Sequence, residues 1–250
     1  MVAFSGGVDS SLLLAVAAET LGERAVAATA RSEVYPEPEF RQAQMLAATL
    51  GVRHLTFETS ELSLPHFTEN PPDRCYYCKR DLFEKLAALA QQEGLAWIAD
   101  GAQADDRGDF RPGARAAQEL GVRAPLQEAG LTKADIRELS RRRSLATADF
   151  PSRACLASRF PYGDQITPEK LRQVAAAEAL LAEAGFHQYR VRHHGAVARV
   201  EVPEEDLPRL LEDSLRQKLV AEMKRLGFTY VTVDLQGFRS GSMNEPLSLA

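Results

Sequence analysis

The segment Ser5-Gly6-Gly7-Val8-Asp9-Ser10-Ser11 places two glycines, three hydroxyls and one carboxylate within seven residues. Each type has a use around a chain of phosphates. Glycines let backbone N–H groups come close to phosphate oxygens without a Cβ in the way. Ser5, Ser10 and Ser11 offer hydroxyl donors. A helix starting near Ser10 aims free N–H groups and its positive dipole end back at the loop. Asp9 repels a bare phosphate, so its presence makes sense if Mg²⁺ sits between it and a pyrophosphate. The lysine of a Walker A loop is missing. The bland alternative, a glycine turn capped by an aspartate, is weakened by the position directly after a first strand.

The three cysteines form a second group: Cys75-Tyr76-Tyr77-Cys78, and Cys155 in Arg153-Ala154-Cys155-Leu156-Ala157-Ser158-Arg159. An odd number in a chain of this size argues against a disulfide framework and for metal, cluster or catalytic use. A lone C-x₂-C serves zinc, iron–sulfur clusters and thiol redox alike. Thioredoxin placement fails, because the motif does not follow the first strand. Tetrahedral zinc needs a fourth ligand such as His66, His193 or His194. A cubane cluster on three cysteines leaves one iron open to carry an extra sulfide. Cys155 alone reads either as a small buried hydrophobe or as a thiolate favoured by the guanidiniums of Arg153 and Arg159.

These residues need elements to hold them. Val2–Phe4 reads as a strand that begins almost at Met1, which predicts a few more residues upstream. A helix covers about Ser10–Leu21, and Ala25–Ala30 is a buried strand. Pro38–Leu50 is helical, with Phe40, Ala43, Leu46, Ala47 and Leu50 on one face. Val52–Phe57 is a strand, Asp81–Glu93 a helix that starts just after the cysteine pair, and Ala96–Ala99 a fourth strand. Thr132–Arg142 is a helix with Thr132 and Asp135 as a capping-box variant. Strands alternating with helices predict an α/β fold, a parallel sheet with helices on both faces. By the fold rule a nucleotide lies at the carboxyl ends of the strands, framed by Thr29-Ala30-Arg31 and Asp100-Gly101.

Around Phe150–Gly163 the periodicity stops. Thr167 then caps a helix with Pro168 in its first turn, running to about Ala184 and ending at Gly185. Strands Gln188–His193 and Ala196–Val202 flank a turn at Gly195. Glu204–Leu226 is helical with a break near Asp213, and Thr229–Leu235 is a last strand. Residues 1–150 are therefore expected to form the phosphate-loop domain, and 151–250 a smaller α+β domain.

Composition narrows the function classes. The 250 residues are 45% hydrophobic and 26% charged, ordinary for a globular protein. No apolar run reaches the roughly 18–20 residues of a membrane span. The N-terminus lacks a basic leader, and its apolar stretch Leu12–Ala18 follows a polar glycine loop, so a cytoplasmic enzyme is expected. A net charge of −5 disfavours a nucleic-acid binder. The densest basic run, Arg141-Arg142-Arg143, reads best as a solvated helix end complementing the dipole.

The phosphate loop resembles the SGGxDS loop of PP-loop ATP pyrophosphatases, which cleave ATP between the α- and β-phosphates. Over nearly its whole length the chain also resembles the LarE family of sulfur transferases. Four stretches carry that likeness: Phe4–Ser10, Arg74-Cys75-Tyr76-Tyr77-Cys78-Lys79, Ala154-Cys155-Leu156-Ala157-Ser158-Arg159-Phe160-Pro161-Tyr162-Gly163, and Arg239-Ser240-Gly241-Ser242-Met243-Asn244. Asp105-Asp106-Arg107-Gly108-Asp109-Phe110-Arg111-Pro112-Gly113 fits the loop after strand four.

The resemblance implies ATP and Mg²⁺ as cofactors, bound by Ser5, Gly6, Gly7, Asp9, Ser10, Ser11, Thr29 and Gly101. It implies adenylation of the carboxylates of pyridinium-3,5-biscarboxylic acid mononucleotide, followed by attack of a sulfur held at Cys155. Ser158 and Arg159 would lie near that sulfur. Single-cysteine members lose the cysteine's own sulfur. The pattern here resembles the three-cysteine subgroup, which implies a 4Fe–4S cluster on Cys75, Cys78 and Cys155. The substrate is anionic, and Arg190 and Arg192 share one face of a strand, suited to bidentate phosphate pairing. The alternative is a surface strand with two solvated arginines. The resemblance further implies a homo-oligomer, a hexamer, working with other proteins of nickel-pincer cofactor biosynthesis. Rival readings are a tRNA thiolase of the same superfamily, an ATP-dependent amide synthetase and a nucleotide-binding regulator without catalysis.

Overall fold

A computed structural model describes residues 1–108, 112–151 and 154–248. Chain contacts divide it into two units, Met1–Phe67 with Pro72–Arg153 and Thr68–Pro71 with Ala154–Ala250. The short Thr68–Pro71 segment belongs to the second unit through hydrogen bonds. Ile166 N donates to Thr68 O (2.9 Å), Gly163 N to Asn70 O (2.9 Å), and the Asn70 amide to Pro161 O (2.6 Å).

Leaving aside single-turn helices, the first unit contains β1 (Val2–Ala3), α1 (Val8–Leu21), β2 (Val26–Arg31), α2 (Glu37–Thr49), β3 (Arg53–Glu58), α3 (Arg74–Gln92), α4 (Pro112–Glu119) and α5 (Lys133–Arg142). The strands are parallel in the order β1-β2-β3. Ala99 extends the sheet beside Val2, and Arg123 beside Ala99, again in parallel. The fourth strand expected over Ala96–Ala99 is thus reduced to a bridge at Ala99.

Successive residues of β2 point to opposite faces. Ala27 joins an apolar cluster with Leu12, Leu14, Ala43 and Ile136, from α1, α2 and α5. Ala28 joins another with Phe83 and Leu86 of α3. Helices therefore cover both faces, as the alternation of elements implied.

Two helix starts differ from the sequence expectation. Helix α1 begins at Val8, so Asp9 and Ser10 lie inside its first turn. Helix α3 begins at Arg74, so the cysteine pair is within the helix instead of before it. The buried positions that extend α3 upstream are Arg74 and Tyr76, not aliphatics, so no apolar stripe announced them. Asp109, Phe110 and Arg111 of the loop after strand four lie outside the described residues, as does Arg153. Helix α4 after that loop was not foreseen.

The second unit contains α6 (Pro168–Glu183), β4 (Arg190–His194), β5 (Val197–Glu201), α7 (Asp213–Arg225) and β6 (Tyr230–Val233). β4 and β5 pair antiparallel around Gly195, whose φ of +61° suits glycine. β6 pairs parallel to β5 after the α7 crossover. Leu181, Val191, Ala198, Val200, Met223 and Phe228 form its core.

Candidate active site

The N-terminal half of α1 is buried on all sides, from Val8 to Ala15 apart from the half-buried Asp9. Burial of Ser10 and Ser11 within such a helix needs a reason. Ser10 Oγ donates to Gly7 O (3.2 Å) and meets Ser5 Oγ at 3.2 Å, which ties the loop together. Ser11 Oγ is buried without a hydrogen-bond partner. The N-cap, Gly7, supplies no side-chain cap, so the first N–H groups of α1 stay available to an anion. Gly6 has φ +71°, and a Cβ there would stand 3.1 Å from Ala43 Cα of α2. A Cβ on Gly101 would come 3.1 Å from Ser10 N and 3.2 Å from Asp9 Cβ. The structure thus brings Ser5, Gly6, Gly7, Asp9, Ser10, Ser11 and Gly101 together.

It also supplies the cation that the loop itself lacks. Lys133 Nζ contacts Asp9 Oδ1 at 2.6 Å and Oδ2 at 2.5 Å. Lys133 is the first residue of α5, fixed by Thr132 and Asp135 in a complete capping box and by its own N–H, which donates to Asp105 Oδ2 (2.9 Å). One signal was present in the sequence. A lysine in the first turn of a helix opposes the dipole, so it needs an anion nearby.

Thr29, expected at the strand end that frames the nucleoside, ties β2 to Phe4. It is buried, and its only proton goes to Phe4 O at 2.7 Å. His54 Nε2, 2.7 Å from Thr29 Oγ1, must therefore be the donor in that contact. Burial lowers the His54 pKa.

Cys75 is exposed and Cys78 half-buried, and neither they nor Cys155 forms a disulfide. Residues three apart on a helix share a face, so the pair can act on one ligand. The intervening tyrosines are held elsewhere. Tyr76 OH donates to Glu119 Oε2 (2.6 Å) under the Arg115 guanidinium, and Tyr77 stacks on His66 at 4.7 Å. Among the described residues no group of three or more His, Cys, Asp or Glu is arranged to hold a metal ion.

In the second unit, Cys155 precedes a single 3-10 turn, Leu156–Arg159. Arg159 is buried against Glu178, with Nε–Oε1 at 2.7 Å and Nη2–Oε2 at 2.9 Å. Its Nη1 donates to Ala154 O (2.9 Å), Cys155 O (3.2 Å) and Ser158 Oγ (2.8 Å). Arg159, expected near the transferred sulfur, holds the loop that carries Cys155. Glu178 balances its charge. Glu178 also accepts Val191 N (3.0 Å). Its signal was an acid beside Leu171, Val174, Ala177 and Leu181 on the buried face of a helix.

Arg190–His193 of β4 are all buried, which excludes the solvated-strand alternative. Arg192 is committed: Nη2 to Glu201 Oε2 (2.7 Å) and Ser242 Oγ (3.0 Å), Nη1 to Ser158 O (3.0 Å). It ties the Cys155 loop to the C-terminal motif, and its buried Nε has no hydrogen-bond partner. Arg190 donates to Tyr189 O and lies 5.3 Å from the centre of the Phe238 ring. Tyr162 OH donates to Asn244 Oδ1 (2.8 Å), a second tie between the same motifs. His193 packs against Phe160 and Phe228, and burial lowers its pKa. Arg141, Arg142 and Arg143 pair with Asp149, Glu138 and Glu19 at the exposed end of α5.

A family profile described as asparagine synthase matches residues 1–71, the part that carries the phosphate loop. A protein of Lactiplantibacillus plantarum named pyridinium-3,5-bisthiocarboxylic acid mononucleotide synthase is 40% identical over 250 residues, covering 100% of this chain and 90% of that protein. An uncharacterized protein of Synechocystis is 42% identical over 248 residues, covering 99% and 92%. An uncharacterized protein of Methanocaldococcus jannaschii is 26% identical over 243 residues, covering 96% and 90%.

Proposed function

The chain belongs to the LarE family, that of the pyridinium-3,5-bisthiocarboxylic acid mononucleotide synthase, and on that premise we propose that it is an ATP-dependent sulfur transferase acting on pyridinium-3,5-biscarboxylic acid mononucleotide. The observation that carries the reading is full-length identity of 40% to that synthase, together with an uncapped helix behind a two-glycine loop.

In the first step a substrate carboxylate oxygen bonds to the α-phosphorus of ATP. The bond from that phosphorus to the bridging oxygen of the β-phosphate breaks, pyrophosphate leaves, and an acyl-adenylate forms. The loop Ser5–Ser11 offers N–H groups and hydroxyls to the departing phosphates, and the missing Cβ of Gly101 lets its backbone lie close to Asp9 and Ser10. Asp9 and the serine hydroxyls are hard oxygen donors that fit Mg²⁺, which when bound neutralises charge on the phosphates.

In the second step sulfur carried at Cys155 bonds to the acyl carbon, and AMP leaves with the electrons of the C–O bond. For a sacrificial cysteine, loss of the Cα proton with cleavage of Cβ–Sγ completes the transfer and leaves dehydroalanine. The second carboxylate would react in the same way. Ser158 borders the cysteine, and Arg159 and Arg192 position its loop. Arg190 is proposed for the substrate's phosphate.

A 4Fe–4S cluster is the finer proposal, resting on the number and type of the cysteines. Such a cluster would supply exchangeable sulfide in place of the cysteine's own sulfur. Its test is iron and acid-labile sulfide in protein purified without oxygen, beside Cys75→Ala. Near-cubane amounts lost in the variant support the cluster, and metal-free protein returns Cys155 to a sacrificial or persulfide role.

The reaction itself is tested by incubating the protein with ATP, Mg²⁺ and the biscarboxylate, then following AMP, pyrophosphate and thiocarboxylate by mass spectrometry. Cys155→Ala should release pyrophosphate without forming thiocarboxylate. An amide synthetase would keep its product in that variant, a regulator would release no pyrophosphate, and a tRNA thiolase would bind tRNA tightly and in a salt-sensitive way.

A further inference from the structure

We propose that Lys133 guards the metal position at Asp9. In the nucleotide-free protein its ammonium holds both carboxylate oxygens, and a divalent cation reaches Asp9 only together with a polyphosphate that draws the ammonium away. The proposal rests on the reading of Ser5–Ser11 as a nucleotide site and adds an order of entry to it.

Three observations carry it. The ammonium sits against both oxygens of Asp9, at 2.6 and 2.5 Å, the same oxygens that a hard cation would use. The pair is accessible to exchange, with side-chain exposures of 32% for Lys133 and 27% for Asp9. The backbone of Lys133 cannot follow its side chain, because the capping box and the Asp105 contact hold the start of α5. Only the flexible four-carbon stem is free to swing.

The charges set the order. A free divalent cation approaching Asp9 meets one carboxylate, already neutralised by Lys133, beside the positive end of α1. The approach is unfavourable. A metal–polyphosphate complex reverses this, since its net negative charge is attracted by the helix end and offers the ammonium new oxygen partners. Lys133 thereby acts as a positioning residue in both states, first on Asp9 and then on the phosphates.

Binding of Mn²⁺ to the full chain, followed by electron paramagnetic resonance, tests this without catalysis. Wild-type protein alone should bind Mn²⁺ at least about tenfold more weakly than Lys133→Met, because the competing charge is gone. Lys133→Arg should bind it as weakly as wild type, and Asp9→Asn combined with Lys133→Met should lose the gained site. With α,β-methylene-ATP present, wild-type protein should take up Mn²⁺. Equal Mn²⁺ affinity in nucleotide-free wild type and Lys133→Met would overturn the proposal, as would a gained site that survives Asp9→Asn. If nucleotide brings no Mn²⁺ to wild-type protein although Lys133→Met binds the metal alone, the nucleotide reading and the order of entry fail while the Lys133 block stands.

Discussion

Arg159 and Glu178 meet in a two-toothed ion pair, 2.7 and 2.9 Å, directly behind the loop that carries Cys155. The two side chains are only 4% and 10% exposed. Removing one partner leaves a buried charge uncompensated. Glu178→Ala should therefore cost about 3–5 kcal/mol of stability. Urea unfolding of the full chain checks it, and a loss below about 1 kcal/mol would show that Arg159 finds water or another partner. Glu178→Gln keeps the shape and should lower sulfur transfer more than pyrophosphate release.

A methyl group on Gly101 would stand 3.1 Å from Ser10 N at the start of α1, tighter than an ordinary contact. Gly101→Ala should push the loop apart and weaken ATP binding by about tenfold, the effect of roughly 1.4 kcal/mol. Calorimetric titration with a non-hydrolysable ATP analogue measures this. Unchanged affinity would mean that the loop relaxes without cost.

Ser242 bridges Arg192 and Glu201, accepting from one and donating to the other. Ser242→Ala removes both contacts from a buried network, a change of about 1–3 kcal/mol. Hydrogen exchange over residues 239–245 should accelerate, and thiocarboxylate formation should fall while pyrophosphate release persists. Exchange as slow as in wild type would show that Tyr162–Asn244 and the ion pairs of Arg239 with Asp234 and Glu245 hold the segment by themselves.

Burial lowers the pKa values of His54, His193 and His194. In the unfolded chain each imidazole titrates near its ordinary value, about 6.5. Below that pH the unfolded chain binds protons that the folded chain refuses, so stability falls from there down toward the folded pKa values. Urea midpoints should be lower at pH 5.5 than at pH 7.5, and His54→Gln should make the difference smaller. Equal midpoints would show that these rings protonate without unfolding.

What could be read in the amino-acid order was what is local. Ser5–Ser11 lies on one short stretch, so the glycines, hydroxyls and helix start announced themselves by spacing. The alternation of strands and helices, the cap at Thr132 and the turn at Gly195 were visible for the same reason. The cysteine pair was visible as well, but its place inside α3 was not, because its buried positions there are Arg74 and Tyr76, and Tyr76 finds its partner Glu119 far along the chain. Sequence showed which residues carry charge or hydroxyls, and only the tertiary structure decided what those groups face. Lys133 reaches Asp9 across 124 positions, Arg159 pairs with Glu178, Arg192 pairs with Glu201, and the Thr29 hydroxyl closes on Phe4. A charge or a hydroxyl taken out of water needs a partner, and packing, not spacing along the chain, determines which partner is within 3 Å.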